Sequence, residues 1–344
     1  MAKRGAVPAS LITASGFTQP THRVRYLPPL NWNPAIHLLE SPAINGAREL
    51  PTKSVKGASE IVGKKLNQEL EPSDVQGHLH MAAFGQDTVI GDGATVGAPH
   101  AHNFEVLQQP QLPVYDFYYP EGDKQFGFAA MMCKKWELMI AKKEVTKVDM
   151  EWDGLYFVDD LTYDPLAIDL TESTVRPLPF AVTDTYLGGS LVTNLQKVNL
   201  ILENSVQTDH ALRSDTNQAS QIWCAEAKAS GSLDQYFTDK TEYDKFLAMS
   251  SPSTPTPSDL KVVLTSDETF DEGSLTGIKY RFIYQMPLIK YRTAEIQLPQ
   301  GVVLGTFTFV CEPDDGEIGE SGDAYTFHNR SLVCQFRNGV AAAY

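Results

Sequence analysis

Apolar and polar residues alternate at every second position along several stretches of the chain, and no other feature constrains the fold as strongly. Four stretches show the pattern: VTKVDMEW, KVNLILEN, KYRFIYQM and GTFTFVC. Their apolar members are Val148, Met150, Trp152, Val198, Leu200, Leu202, Tyr280, Phe282, Tyr284, Phe307, Phe309 and Cys311. A period of two is that of a strand with one buried face. Bounded by Gly, Pro, Asp and Asn, these stretches predict half-buried antiparallel strands and a mainly β fold.

Helical patterns are rare by comparison, and two of them stand about half a chain apart. The stretch PSDVQGHLHMAAFG predicts a helix over 73–84, with Ser73 as the N-cap and Gln76 completing a capping box. Val75, Leu79, Ala82 and Ala83 form its apolar face. The stretch KTEYDKFLAMSS predicts a second helix over 241–249, in which Leu247 stands 168 positions after Leu79.

Strand-like stretches follow one another in matching order around the two predicted helices, which indicates a repeat of plan with little identity of residues. A chain of 344 residues also exceeds what one core usually serves. We therefore predict a mainly β fold with short flanking helices, in two tandem, similar β-sandwich or barrel domains. Residues 1–30 form an extended N-terminal arm, 31–180 the first domain, and 181–344 the second domain with a C-terminal extension.

Composition excludes several classes of protein. The net charge is −15, and both halves are acidic, so the surface is a poor match for a phosphate backbone. No apolar run is long enough to span a membrane, and the N-terminal stretch lacks the apolar core of a secretory signal. The four cysteines have no C-x-x-C spacing, which favours buried thiols in a reducing cytosol.

Motifs that carry chemistry are nearly absent. His78, His80, His100 and His102 are the only histidine cluster, and the last two lie in a Gly-rich stretch that we interpret as a loop without cysteine. The glycines of IGDGATVG match neither a P-loop nor a dinucleotide fingerprint, and there is no G-x-S-x-G elbow. We predict that the chain is not an enzyme, with no catalytic, cofactor-binding or metal-binding residues and no cofactor.

The layout resembles the tail tube proteins of long-tailed bacteriophages, in the class that fuses two copies of the tube fold. The resemblance rests on SVKGASEIVGKKL, the helix ending LHMAAFG, HAHNF, VYDFYY and the strands through WDGLYFV, with the second half repeating the layout. It implies a structural virion protein, made in the host cytoplasm and located in the phage tail. It further implies self-association into stacked rings, of three subunits for a doubled chain, and contacts with other tail proteins. DNA would pass through the rings without specific binding, and no membrane is involved.

In such a tube, the polar faces of the alternating strands become candidates for the channel wall, although they are equally suited to a solvated outer surface. The candidate lumen-facing residues are Lys147, Asp149, Glu151, Lys197, Asn199, Glu203, Thr306 and Thr308. Two other functions stay open at this point. One is a receptor- or carbohydrate-binding β-sandwich that uses Trp32, Tyr118 and Tyr119, and the other is a metal-dependent hydrolase that uses the four histidines.

Overall fold

A computed structural model of the chain describes residues 2–4, 27, 35–42, 52–93, 99–107, 111–121, 124–158, 175–209, 221–236, 243–244, 258–297, 304–319 and 323–344. Most of these residues are in strands, which confirms the mainly β prediction. The strands of the first half are β1 (Ala2–Arg4), β2 (Ala35–Pro42), β3 (Thr52–Glu69), β4 (Gly85–Ile90), β5 (Ala101–Val106), β6 (Val114–Glu121), β7 (Lys124–Ala141), β8 (Lys147–Gly154) and β9 (Tyr156–Val158).

The second half contributes ten further strands within the described ranges. They are β10 (Thr183–Leu187), β11 (Ser190–Leu191), β12 (Leu195–Asp209), β13 (Gln221–Tyr236), β14 (Ser258–Glu272), β15 (Leu275–Gln297), β16 (Leu304–Glu312), β17 (Asp314–Ile318), β18 (Tyr325–Arg330) and β19 (Val333–Arg337). All the strand pairs described below are antiparallel.

The period-two pattern marks the buried face correctly in three of the four stretches. In β8, β12 and β16 the apolar residues are buried and the residues between them are partly or fully exposed. The prediction is wrong for KYRFIYQM, because Arg281 to Met286 of β15 are buried on both faces. The hairpin β17–β18 causes this difference, since its Ile318 and Phe327 cluster with Ile283 on the second face.

The first predicted helix is α1 (Asp74–Phe84), with Ser73 at the N-cap and Gly85 at the left-handed C-cap position, where φ is 92°. The capping box is wrong: the Ser73 side chain makes no cap hydrogen bond, and Oε1 of Gln76 is buried without a partner. The predicted apolar face is buried, but most of the remaining helix surface is buried as well. Of the second predicted helix, the described residues 243 and 244 are helical and the others lie outside the described part.

Two layers of sheet enclose one core. In the main sheet the strands pair in the order β3, β8, β7, β12, β13, β16 and β15. In the second sheet the order is β4, β5, β19, β15, β14, β10 and β11. The long strand β15 belongs to both, since residues 288–297 pair with β16 and residues 281–285 pair with β19. Trp136 of the main sheet meets Tyr284 of the second, with ring centroids 5.5 Å apart.

The two halves share one order of strand pairing. In the first half β1 pairs with β6, β6 with β7, β7 with β8, β8 with β3, and β3 with β2, while β9 adds to β7. In the second half the corresponding order is β10, β14, β15, β16, β13 and β12, with β19 added to β15. Even a register shift recurs, between Cys133 and Lys135 of β7 and between Tyr291 and Thr293 of β15.

This shared order supports the predicted duplication, although the domain boundaries at residues 30 and 180 stay a prediction. The halves are not independent sheets, because β7 pairs with β12 and β5 pairs with β19 across them. Asn204 of β12 is buried, and its Nδ2 donates to the carbonyls of Ala83 (2.9 Å) and Cys133 (3.1 Å). Within the predicted arm, β1 pairs with β6 and the Leu27 amide donates to the Asn67 carbonyl.

Tyr344 packs against α1 at Gly77. The effect of an alanine at this glycine on stability should therefore change sign when the Tyr344 ring is removed. A Cβ at Gly77 would lie 2.0 Å from the buried Tyr344 ring. We expect Gly77→Ala to destabilise the unassembled protein by about 1–3 kcal/mol in denaturant unfolding, because the ring must move. In a Tyr344→Ala background the same substitution should be neutral or stabilise by up to about 1 kcal/mol, since alanine favours helix over glycine. Additive effects would contradict this packing.

Candidate functional site

All eight candidate residues lie on one face of the main sheet. Lys147, Asp149 and Glu151 alternate with the buried residues of β8, and the candidates of β12 and β16 do the same on their strands. Because β8 and β12 both pair with β7, while β16 pairs with β13 beside β12, the register joins the three sets into one surface. We call this surface the polar face.

The sequence analysis did not include among the candidates the polar residues of the strands that connect the three sets. β7 contributes Lys135, Glu137 and Met139, which lie opposite residues of both β8 and β12. β13 contributes Lys228, Ser230, Ser232 and Asp234, and β15 contributes Thr293 and Glu295. The same signal was present in the sequence, because KKWELMI and KASGSLDQ also alternate with a period of two.

Side-chain contacts hold several residues of the polar face in place. Lys65 of β3 pairs across the strands with Glu151 of β8 (Nζ to Oε1, 3.1 Å), and Lys135 pairs with Glu137 two positions along the same strand β7 (Nζ to Oε2, 2.6 Å). Nδ2 of Asn199 donates to the other Glu137 oxygen at 2.8 Å, which links the two halves of the chain. Such cross-strand pairs typically contribute a few tenths to about 1 kcal/mol each.

Glu137 is the centre of this network. Partial burial favours its neutral form, but hydrogen bonds from Lys135 and Asn199 outweigh burial and lower its pKa. The pKa of the neighbouring Asp149 shifts in the opposite direction, because burial and the negative charge of Glu137 raise it. Glu137 therefore keeps its charge in the folded protein, and the pairing neutralises Lys135 on the sheet surface.

The polar face carries both signs of charge, with a small acidic excess. Its acidic members are Glu69, Glu137, Asp149, Glu151, Glu203, Asp234, Glu295 and Glu312, and its basic members are Lys65, Lys135, Lys147, Lys197, Lys228 and Lys290. Lysines that are paired with neighbouring carboxylates offer a phosphate backbone little net attraction. The surface can therefore lie beside a polyanion without holding it.

The histidines are structural where the structure describes them. His80 is buried in α1, where its Nδ1 donates to the Gln76 carbonyl (2.6 Å) and its Nε2 accepts from the Tyr284 hydroxyl (2.9 Å). Burial lowers the pKa of His80 to about 4. The interpretation of HAHN as a loop is wrong, because His102 lies buried on β5. Its Nδ1 hydrogen-bonds with the Asp87 carboxylate, and its Nε2 hydrogen-bonds with the Val340 carbonyl.

His100 contacts the Glu272 carboxylate, which also accepts its backbone amide. Among the described residues, no group of three or more His, Cys, Asp or Glu side chains is placed to hold a metal ion. All four cysteines are free and buried, as predicted, and burial raises their pKa values. Of the aromatic residues considered for receptor binding, Tyr118 is half-buried, and Trp32 and the Tyr119 side chain lie outside the described part.

The Glu137 network yields a pH-dependent test. A carboxylate with a lowered pKa stabilises the folded state above its ordinary pKa, and this contribution is lost as the pH falls through the folded value. Glu137→Gln should therefore cost about 1 kcal/mol at neutral pH and less on acidification below about 4.5, the ordinary value for glutamate. It should also lower the pKa of Asp149, which NMR titration can measure. Glu317→Gln on the hairpin is the control, and an unchanged Asp149 pKa would contradict the network.

No helix in the described ranges is both long and apolar enough to cross a membrane.

Membership in a known family follows from comparison of the whole chain. No curated protein matches the sequence. A family model described as phage tail tube protein matches residues 9–315, which is most of the 344-residue chain. The chain thus belongs to the phage tail tube protein family, and it is a structural subunit of the virion tail.

Proposed function

We propose that this tail tube subunit turns its polar face toward the channel through which DNA passes, in rings of three subunits that stack. One observation carries the proposal: a single, largely polar surface crosses seven paired strands and joins both halves of the chain, with Met139, Ile201 and Val310 as apolar members. The opposite face of the same strands is apolar and buried, so the polar face is the surface that the main sheet can present to a channel.

The number of subunits follows from the repeat. Both halves have the same order of strand pairing, and β7 and β12 already join them side by side within one chain. If each half occupies one position around a sixfold-like ring, three chains complete it, as the resemblance to doubled tube proteins implies. Closed rings also cover the edge strands that a large β-sheet otherwise exposes.

The charge pattern suits a conduit. A basic wall would bind phosphates, with counterion release making the binding strong at low salt. On the polar face the lysines are interspersed with a small excess of acids, and Lys65 and Lys135 are within hydrogen-bond distance of carboxylates. DNA would therefore pass without specific binding. In this proposal the chain has no catalytic role, which is supported by the structural engagement of His80 and His102.

A matched pair of charge variants tests the orientation of the polar face. Glu203 and Thr306 lie on it, whereas Glu317 and Thr326 are exposed on the hairpin β17–β18. We expect Glu203→Lys with Thr306→Lys to leave tube assembly intact while DNA ejection slows and becomes more dependent on salt. Glu317→Lys with Thr326→Lys adds the same charge and should eject DNA at the wild-type rate.

Electron microscopy of the variant particles establishes assembly, and ejection is then followed in vitro at several salt concentrations. Equal ejection from both variants, in particles that are properly assembled, would show that the polar face does not line the channel. Single-particle reconstruction of the rings gives the number of subunits, and any number other than three contradicts the proposed stoichiometry.

A further inference from the structure

Residues 338–344 follow β19 and pack against α1 and β5 without forming a helix or a strand. The alanines at 341–343 are exposed, but the Tyr344 side chain beyond them is buried. The Tyr344 ring contacts His78 of α1, with centroids 4.9 Å apart, and His102 of β5, with centroids 4.6 Å apart. We call residues 338–344 the strap.

A buried pair of side chains binds two backbone groups of the strap. His102 Nδ1 lies 2.8 Å from Oδ2 of Asp87 on β4, and both side chains are buried. The same Asp87 oxygen accepts from the Tyr344 amide at 3.1 Å, and the Val340 carbonyl oxygen lies 3.0 Å from His102 Nε2. The strap and the His102–Asp87 pair thus form one hydrogen-bonded unit.

Both hydrogen-bond partners of the His102 ring are acceptors. The Val340 carbonyl can only accept, and Asp87 Oδ2 already accepts from the Tyr344 amide. A neutral imidazole has a single N–H and can donate to one of these partners, whereas an imidazolium has two N–H groups and donates to both. The closed strap therefore needs one proton more than a neutral histidine beside a carboxylate carries.

We infer that the strap is a proton-dependent closure, which is held shut when His102 carries this additional proton and opens when the proton is lost. Without the proton, a ring lone pair faces either the Val340 carbonyl or the Asp87 carboxylate, and two acceptors in contact at a buried site are unfavourable. The bond to Val340 is the one given up, because a carboxylate is the stronger acceptor. Opening then moves the Tyr344 ring away from Gly77 of α1.

Other ionisable groups surround the pair and the strap. They are Asp74 and His78 of α1, His100 of β5 with Glu272 of β14, Tyr115 of β6, Cys334 of β19 and Tyr344 itself. Burial raises the pKa values of Tyr115, Cys334 and Tyr344, so these three groups stay neutral. The titrations of His78 and His100 have to be separated from that of His102 by variants.

Hydrogen exchange in the unassembled protein measures the opening of the strap as a function of pH. A histidine that faces water loses its proton above about pH 6.5. Opening above this pH therefore releases one proton, and the ratio of open to closed strap should rise by up to about tenfold per pH unit. We expect protection of the Tyr344 amide, corrected for the intrinsic exchange rate, to fall with this slope while protection of β12 amides stays constant.

Substitutions by glutamine assign the slope to one histidine. His102→Gln removes the titrating ring and should abolish the pH dependence, with the strap more open than in the wild type at pH values below about 6.5. His328→Gln is the matched control, because His328 also pairs with an aspartate, Asp315 (3.3 Å), but is exposed on the hairpin β17–β18. This control, His78→Gln and His100→Gln should all keep the wild-type slope. Circular dichroism verifies that each variant is folded.

The inference would be overturned by a flat profile in the wild type, by an unchanged slope in His102→Gln, or by loss of the slope in any of the three other variants. It does not depend on the proposed function, because the strap packs on α1 and β5, away from the polar face, and exchange is measured before assembly. Failure of the strap experiment would therefore leave the orientation of the polar face untouched.

Discussion

The pairing of β7 with β12 is the contact on which the rest of the structure depends. Seven residue pairs, from Lys197 with Ala141 to Glu203 with Lys135, join the two halves through backbone hydrogen bonds. On the inner side this junction brings Trp136 and Leu138 against Leu202 and Leu200, all of them buried. On the outer side it brings Asn199 to Glu137. Without the junction, the main sheet and its polar face would be divided at this place.

Sequence patterns could predict the faces of strands because alternation is a local property that burial of one face imposes on each strand. It identified the buried sides of β8, β12 and β16, and every candidate of the polar face lies on the expected side. It failed at β15, where Arg281 and Ile283 are covered by a hairpin from a different part of the chain. It failed at His102 for a similar reason, since the partners Asp87 and Val340 come from β4 and from the C-terminal segment. Long-range partners leave no period in the sequence, so local rules cannot show them.

Beyond the shared order, each half has added strands among those described, and two of these additions meet. The first half adds β4 and β5 between α1 and β6, and the second adds β11 after β10 and the hairpin β17–β18 between β16 and β19. Arg330 of β18 bonds to Glu105 of β5 at 2.7 Å, and Gln335 of β19 donates to Asn103 of β5 at 2.9 Å. The hairpin is also fixed at its base, where the buried Asp323 accepts from Arg281 at 2.7 Å and from Arg337.

The acidic stretch 312–323 therefore contains both exposed carboxylates and a buried one that binds arginines, which composition alone does not distinguish. Glu312, Asp314, Asp315 and Glu317 are exposed, whereas Asp323 is fully buried between two arginines. Leaving this buried carboxylate without its arginine partners would cost free energy. The contact therefore favours this position of the hairpin over others, even where its net contribution to stability is small. The hairpin occupies the outer side of β15 in the second sheet, away from the polar face of the main sheet. Charge on the hairpin and charge on the polar face can therefore be altered independently, because an apolar core separates the two surfaces.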